Sequence, residues 1–121
     1  MALLKILVVD DSATDRFYLT EMLENAGYIV STASSGEDCL VQVDASPPHL
    51  IVMDVIMPGL NGFQTTRKLT RNPETSHIPV IMCTGKQQAT DQMWALRQGA
   101  KDCVMKPVNA HELLSKIKAL T

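Results

Sequence analysis

No stretch of this chain gathers the positive charge that a phosphate backbone demands. Its 11 basic residues stand against 13 acidic ones with no basic run among them, so the electrostatic footprint of a DNA- or RNA-binding protein is missing. Met1-Ala2-Leu3-Leu4 leads directly into a strand-like segment, without the charged region and cleavage site of a secretory signal, and no apolar run is long enough to cross a bilayer. A cytoplasmic protein with no membrane insertion is expected. Cysteine is scarce as well. Cys39, Cys83 and Cys103 are odd in number, far apart, and form no CxxC or Cys/His ligand pattern, which suits small apolar residues in a reducing compartment. With 121 residues the expectation is one domain, 1–121, with a single core and no room for a separate output module. No repeat, low-complexity tract or linker divides it.

What the chain does have is regular alternation. Lys5 to Asp10, Tyr28 to Ala33, His49 to Asp54, Ile78 to Thr84 and Asp102 to Lys106 are short segments rich in Val and Ile that read as strands. Helical spacing lies between them. Leu19, Met22, Leu23 and Ala26 mark a first helix that Gly27 ends, and Ser12 followed by Asp15 resembles a capping box. A second helix is predicted over about Glu37 to Asp44, burying Leu40 and Val43, and a third over about Gly62 to Arg71, burying Phe63 and Leu69. The fourth runs near Ala89 to Gln98, with Met93 and Leu96 inward and Gly99 as its stop. The fifth opens at Asn109, with Glu112 three residues on, and buries Leu113, Leu114, Ile117 and Leu120. Strict β-α alternation with apolar strands implies an α/β fold: a five-stranded parallel sheet in the flavodoxin-like order 2-1-3-4-5, with helices on both faces.

The segment LIVMDVIMPGLNG, residues 50 to 62, then poses a question. A strand buried on both faces has no packing reason to end in an ionisable group, yet this one ends in Asp54. In a parallel sheet all carboxyl ends lie on one edge, and ligands bind in the crevice there. Asp10 and Asp11 close the first strand, Asp54 the third, Thr84 the fourth and Lys106 the fifth, so the strand assignments alone bring them together. Crowded carboxylates repel one another unless a cation sits among them. Only hard oxygen ligands are available, which favours magnesium or manganese over zinc. An ionised aspartate is a nucleophile without a general base, and with a metal, a lysine and a hydroxyl around it the group has the parts of a phosphoryl-transfer site with Asp54 as acceptor. Singly, each residue has a plainer explanation: Asp-Asp before Ser12 can cap a helix, Lys-Pro can begin a loop, and Thr is ordinary in a strand. Their convergence carries the reading.

VVDDS at 8 to 12, MDVIMPGLNG at 53 to 62, Thr84 after an apolar strand and KP at 106 to 107 together resemble the receiver domain of two-component response regulators, the CheY-like fold, over essentially the whole chain. The resemblance implies that Asp54 takes a phosphoryl group from a histidine kinase. It further implies that Asp11, Asp54 and the Ile56 carbonyl ligate Mg2+, with Asp10 supporting the metal through its water shell. Thr84 would reorient toward the phosphoryl oxygens, Lys106 would pair with them, and the Lys106-Pro107 bond is expected to be cis. The second half of the chain looks like single-domain receivers of type IV pilus chemosensory pathways, which implies a chemotaxis-type kinase, a role in twitching motility, and an output partner meeting the fourth helix and fifth strand. Met93, Trp94 and the Gln-rich turn before them would inform partner choice; the Trp94 indole could face solvent or be partly buried. One position departs from the family: three residues before the lysine, where many receivers carry Tyr or Phe, stands Cys103, so an aromatic rotamer readout carries over poorly.

Alternatives within the family are a flagellar chemotaxis-type regulator, a phosphate sink or a phosphorelay intermediate. Outside it, a haloacid-dehalogenase-type hydrolase would need a second acid two residues after a nucleophile on the first strand, where Ser12 stands. A non-phosphorylated scaffold would have lost one of the acids, the threonine or the lysine, and all are present.

Overall fold

The structure is a computed structural model that describes residues 4–85 and 89–121, apart from the side chains of 89–91. Five strands, β1 (Lys5–Val9), β2 (Ile29–Ala33), β3 (Leu50–Asp54), β4 (Val80–Thr84) and β5 (Asp102–Met105), alternate with α1 (Ala13–Asn25), α2 (Gly36–Ala45), α3 (Gly62–Arg71), α4 (Ala89–Arg97) and α5 (Ala110–Leu120). All pairings are parallel, and the sheet order is β2-β1-β3-β4-β5, as the alternation implies. Gly27 and Gly99 follow α1 and α4 with φ of 97° and 105°, the left-handed conformation in which a residue without a Cβ ends a helix.

Side chains along each strand alternate between two cores, as period-two geometry requires. Leu7, Val9, Ile51, Met53, Val80 and Met82 pack with Cys39 and Val43 of α2, Leu69 of α3 and Ala95 of α4. Ile6, Val8, Leu50, Val52, Ile81 and Val104 pack with Leu19 and Leu23 of α1 and Leu113 and Ile117 of α5. Helices α2, α3 and α4 therefore cover one face and α1 and α5 the other. The central strands β3 and β4 are buried along their whole length, which explains why their sequences show no polar alternation. Leu40 and Phe63 pack at the margin of the first core, and Met22, Leu114 and Leu120 at the margin of the second.

Two expectations need correction. Met93 and Leu96 do not face inward: they are exposed, and Ala95 is the buried residue among the described side chains of α4. Met93, Trp94, Ala95 and Leu96 are consecutive, so a helix can direct only one of them squarely at the sheet, and here the smallest side chain makes the close contact. Trp94 is 51% exposed, with the Arg97 guanidinium 5.4 Å from its ring centroid. The Gln-rich turn lies outside the described residues. The capping box at Ser12 is also only half formed. The Ser12 hydroxyl accepts from Asp15 N, but Asp15 sends its carboxylate to Lys106, and Ser12 N–H donates to Asp10. A reciprocal box forms instead at Asn61 and Gln64, at the start of α3.

Candidate functional site

The strand ends meet at the carboxyl edge of the sheet. Asp10 follows β1 directly and is 1% exposed, and Asp54 closes β3 and is 8% exposed; Asp11 is exposed at the rim. Each of these three residues offers a carboxylate oxygen within 4.8 Å of the others. Lys106, just past β5, places Nζ 3.0 Å from Asp54 Oδ1 and 3.1 Å from Asp10 Oδ2. Its backbone N–H donates to the Thr84 carbonyl at 2.8 Å, so the neighbouring β4 end fixes where the lysine begins. The Lys106-Pro107 peptide is cis.

Electrostatics follow from this crowding. Burial pushes the Asp54 carboxyl up to about 6; its contacts with Lys106 oppose the rise, and the charges of Asp10 and Asp11 add to it. Burial alone would lower the Lys106 pKa, but hydrogen bonds to Asp15, Asp54 and Asp10 outweigh it and hold the ammonium above its ordinary value. One cation thus balances a group of acids that would otherwise repel one another. The cysteines play no visible part: burial pushes Cys39 and Cys83 up to about 12, far from thiolate chemistry. Cys103 is buried on β5 within the first core.

Thr84 is wholly buried, and its hydroxyl has no hydrogen-bond partner. An orphaned buried hydroxyl costs roughly 1–3 kcal/mol, and this one ends the strand beside Asp54, which favours a group that arrives with oxygen acceptors. The all-oxygen donor set of Asp10, Asp11 and Asp54 suits a hard divalent cation such as Mg2+. Ile56 follows in the β3–α3 loop with its side chain 75% exposed, leaving a large apolar group at the mouth of the site.

Two participants were not assigned from sequence. Asp15, one turn into α1, contacts Lys106 Nζ at 2.9 Å, and the Arg16 guanidinium donates to the Asp10 carbonyl at 2.7 Å. The signal was present in the placement of the α1 N-terminus just after VVDDS, but a capping role accounted for Asp15 locally. Gly62 is the other structural necessity. Its N–H donates to the Val55 carbonyl, and a Cβ there would run into the Asp54 carbonyl oxygen and lie 2.7 Å from Met82 Cε. Gly62→Ala is therefore expected to displace the acceptor strand end and cost about 2 kcal/mol, read as a lower urea midpoint; an unchanged midpoint would show that the strand end accommodates a methyl group.

The response regulator receiver domain profile matches residues 6–118. Among curated relatives, PilH of Pseudomonas aeruginosa is 49% identical over 116 residues, covering 96% of each chain. The response regulator PleD of Caulobacter vibrioides is 38% identical over 97% of this chain, which spans only 26% of PleD. Among solved structures, chemotaxis protein CheY4 of Vibrio cholerae superimposes with a TM-score of 0.91 at 28% identity, covering 99% of this chain and 100% of that one. No helix of the described residues is long and apolar enough to cross a membrane. With its profile match, its sheet order and its acids gathered at one edge, the chain belongs to the response regulator receiver domain family, whose members are regulators served by histidine kinases and not an enzyme class in the usual sense.

Proposed function

We propose that this protein, acting as one receiver unit over 1–121, accepts a phosphoryl group on Asp54 from a chemotaxis-type histidine kinase. In doing so it switches its affinity for a partner in type IV pilus, twitching-motility signalling. The observation that carries the acceptor assignment is the buried Asp54 carboxylate, 3.0 Å from Lys106 Nζ and within 4.8 Å of the Asp10 and Asp11 oxygens. The pathway assignment rests on the resemblance of the second half of the chain and on the 49% identity with PilH.

The chemistry asked of each residue is limited. Asp54 contributes an oxygen that forms the new bond to phosphorus as the phosphorus–nitrogen bond to the donor imidazole breaks, and the leaving imidazole takes up a proton. Asp11, Asp54 and the Ile56 carbonyl would hold Mg2+, with Asp10 supporting it; when bound, the ion would supply charge neutralisation for the phosphoryl oxygens. Lys106 exchanges one of its three carboxylate partners for a phosphoryl oxygen. The unpartnered Thr84 hydroxyl donates to another, and that inward movement is the switch. The exposed Met93 and Leu96 of α4 and Met105 of β5 are the apolar side chains that an output partner meeting these two elements would touch. The protein operates in the cytoplasm, where its kinase and donor are found.

A phosphotransfer profile tests this reading. A phosphorylated chemotaxis-type kinase from the same genome should pass its label to this protein within seconds, faster than unrelated histidine kinases do, and deleting the gene should alter twitching zones. Transfer only from a non-chemotaxis kinase, with twitching unchanged, would overturn the pathway assignment while leaving the acceptor assignment standing.

A further inference from the structure

We propose that the rim between α3 and α4 is a docking groove for an acidic peptide segment of a partner protein. Arg67 and Arg71 lie one turn apart on α3, both exposed, and with Trp94 and Arg97 of α4 they line a groove of about 320 Å³. Between them Thr70 donates to the Gln98 carbonyl at 2.7 Å, tying the two helices together at the groove floor. On the other flank of α3, a second groove of about 660 Å³ shares Arg67 and Arg71 and adds Lys68.

Charge separation makes this surface unusual. The described residues lining the two grooves include Arg67, Lys68, Arg71 and Arg97 and no carboxylate, although the chain as a whole carries a net charge of -2; Lys68 marks the border of the patch, because it also lines a neighbouring groove that holds Asp44 and Glu74. Among the described residues, the ion pairs within 4.0 Å involve only Lys106 and Lys116, so these four cations lack a carboxylate of their own. A positive patch on a mildly acidic protein steers and registers a negative partner. Arginine, which supplies three of the four charges, matches carboxylates with its planar fork.

The shape selects among negative partners. A small anion or nucleotide needs a concavity that buries most of its surface, but the arginines stand exposed at the surface. Nucleic acid requires a longer track of cations than four on one helix pair. Two adjoining grooves divided by the α3 ridge offer an extended chain contacts on both sides, and the Arg97–Trp94 pair adds a flat apolar platform. Arg67 and Arg71 lie five and nine residues beyond Gly62, which touches the Asp54 carbonyl, so the groove lies roughly 8–14 Å along the helix from the carboxyl edge. A peptide bound there leaves the acidic site open.

Trp94 is the only tryptophan in the chain and lines this groove, so its fluorescence reports on a ligand seated there. Titrating the 121-residue protein with hexaglutamate at low ionic strength should give a saturable change that added salt weakens and that hexalysine does not reproduce. Arg67→Glu/Arg71→Glu, at exposed positions that do not threaten the fold, should weaken binding about tenfold or more. Lys118→Glu, on α5 across the sheet, should leave it unchanged. Absence of a saturable signal, equal affinity in the double variant, or ATP saturating the groove at lower concentration than hexaglutamate would overturn the proposal.

Discussion

Offered magnesium and acetyl phosphate, the protein should gain the mass of a single phosphate, whereas Asp54→Asn should gain none. The site supplies nucleophile, cation sites and lysine within one cluster, so a small donor needs no kinase to position it. Asparagine at this position would retain the size and polarity of the side chain but lose the ionised oxygen that forms the bond, and the effect is therefore all-or-none. Folding is not compromised by the change. The Asp54 carboxyl is held up to about 6 by burial, so its ionisation at neutral pH opposes folding and a neutral isostere relieves that cost. Intact-mass spectrometry of both proteins, with and without EDTA, reads the outcome. Equal labelling of the Asp54→Asn variant would assign the acceptor elsewhere, and labelling indifferent to EDTA would remove the metal from the reaction.

The second large effect concerns stability. In metal-free buffer at pH 8, Lys106→Ala should be less stable than the parent by about 3 kcal/mol, because removing one partner leaves buried charge uncompensated. Lys106 is the only cation within 4.0 Å of the Asp10 or Asp54 carboxylate among the described residues; Arg16 reaches only the Asp10 backbone carbonyl. The pH dependence has a definite sign. The folded-state pKa of Asp54 lies above the usual carboxylate value, so its protonated form favours folding; that contribution is complete below about pH 4 and is lost as pH rises through about 6. Without the lysine the carboxyl rises further. Acidification therefore protonates Asp54 in the variant first and narrows its deficit, while Lys106 in the parent remains charged throughout this range. Magnesium narrows the deficit as well, by replacing the missing positive charge. Urea denaturation at pH 4, 6 and 8 with and without magnesium measures all three; a deficit that grows on acidification, or none at pH 8, would contradict the electrostatic account.

The parts of this molecule that were legible in sequence are those fixed by long-range rules with little freedom. Buried parallel strands need continuous apolar runs, and their carboxyl ends share an edge, so Asp10, Asp11, Asp54, Thr84 and Lys106 could be gathered before any contact was known. The rotation of α4 was not legible. With Met93, Trp94, Ala95 and Leu96 in succession, the sequence offers several inward faces, and sheet packing rather than hydropathy makes Ala95 the buried one. Asp15 was misjudged for a different reason. A local capping pattern explained it fully, yet the ammonium of Lys106, 91 positions away, takes its carboxylate, and the Ser12 N–H that a box would use is already held by Asp10. Local motifs lose to tertiary charge wherever a helix begins beside an acidic cluster. The capping box that does form, at Asn61 and Gln64, sits at the end of the Asp54 segment, where the hydrophobic pattern marks the start of α3 but not its cap.

The most direct test of the central claim is to trap the modified residue. After phosphorylation with acetyl phosphate and magnesium, borohydride reduces an aspartyl-phosphate to homoserine, and peptide sequencing by mass spectrometry locates it. The account predicts homoserine at position 54 and at no other aspartate, neither Asp10 nor Asp11, and none when EDTA is present. Homoserine at a different position, or phosphate retained on an unreduced Ser or Thr, would contradict it.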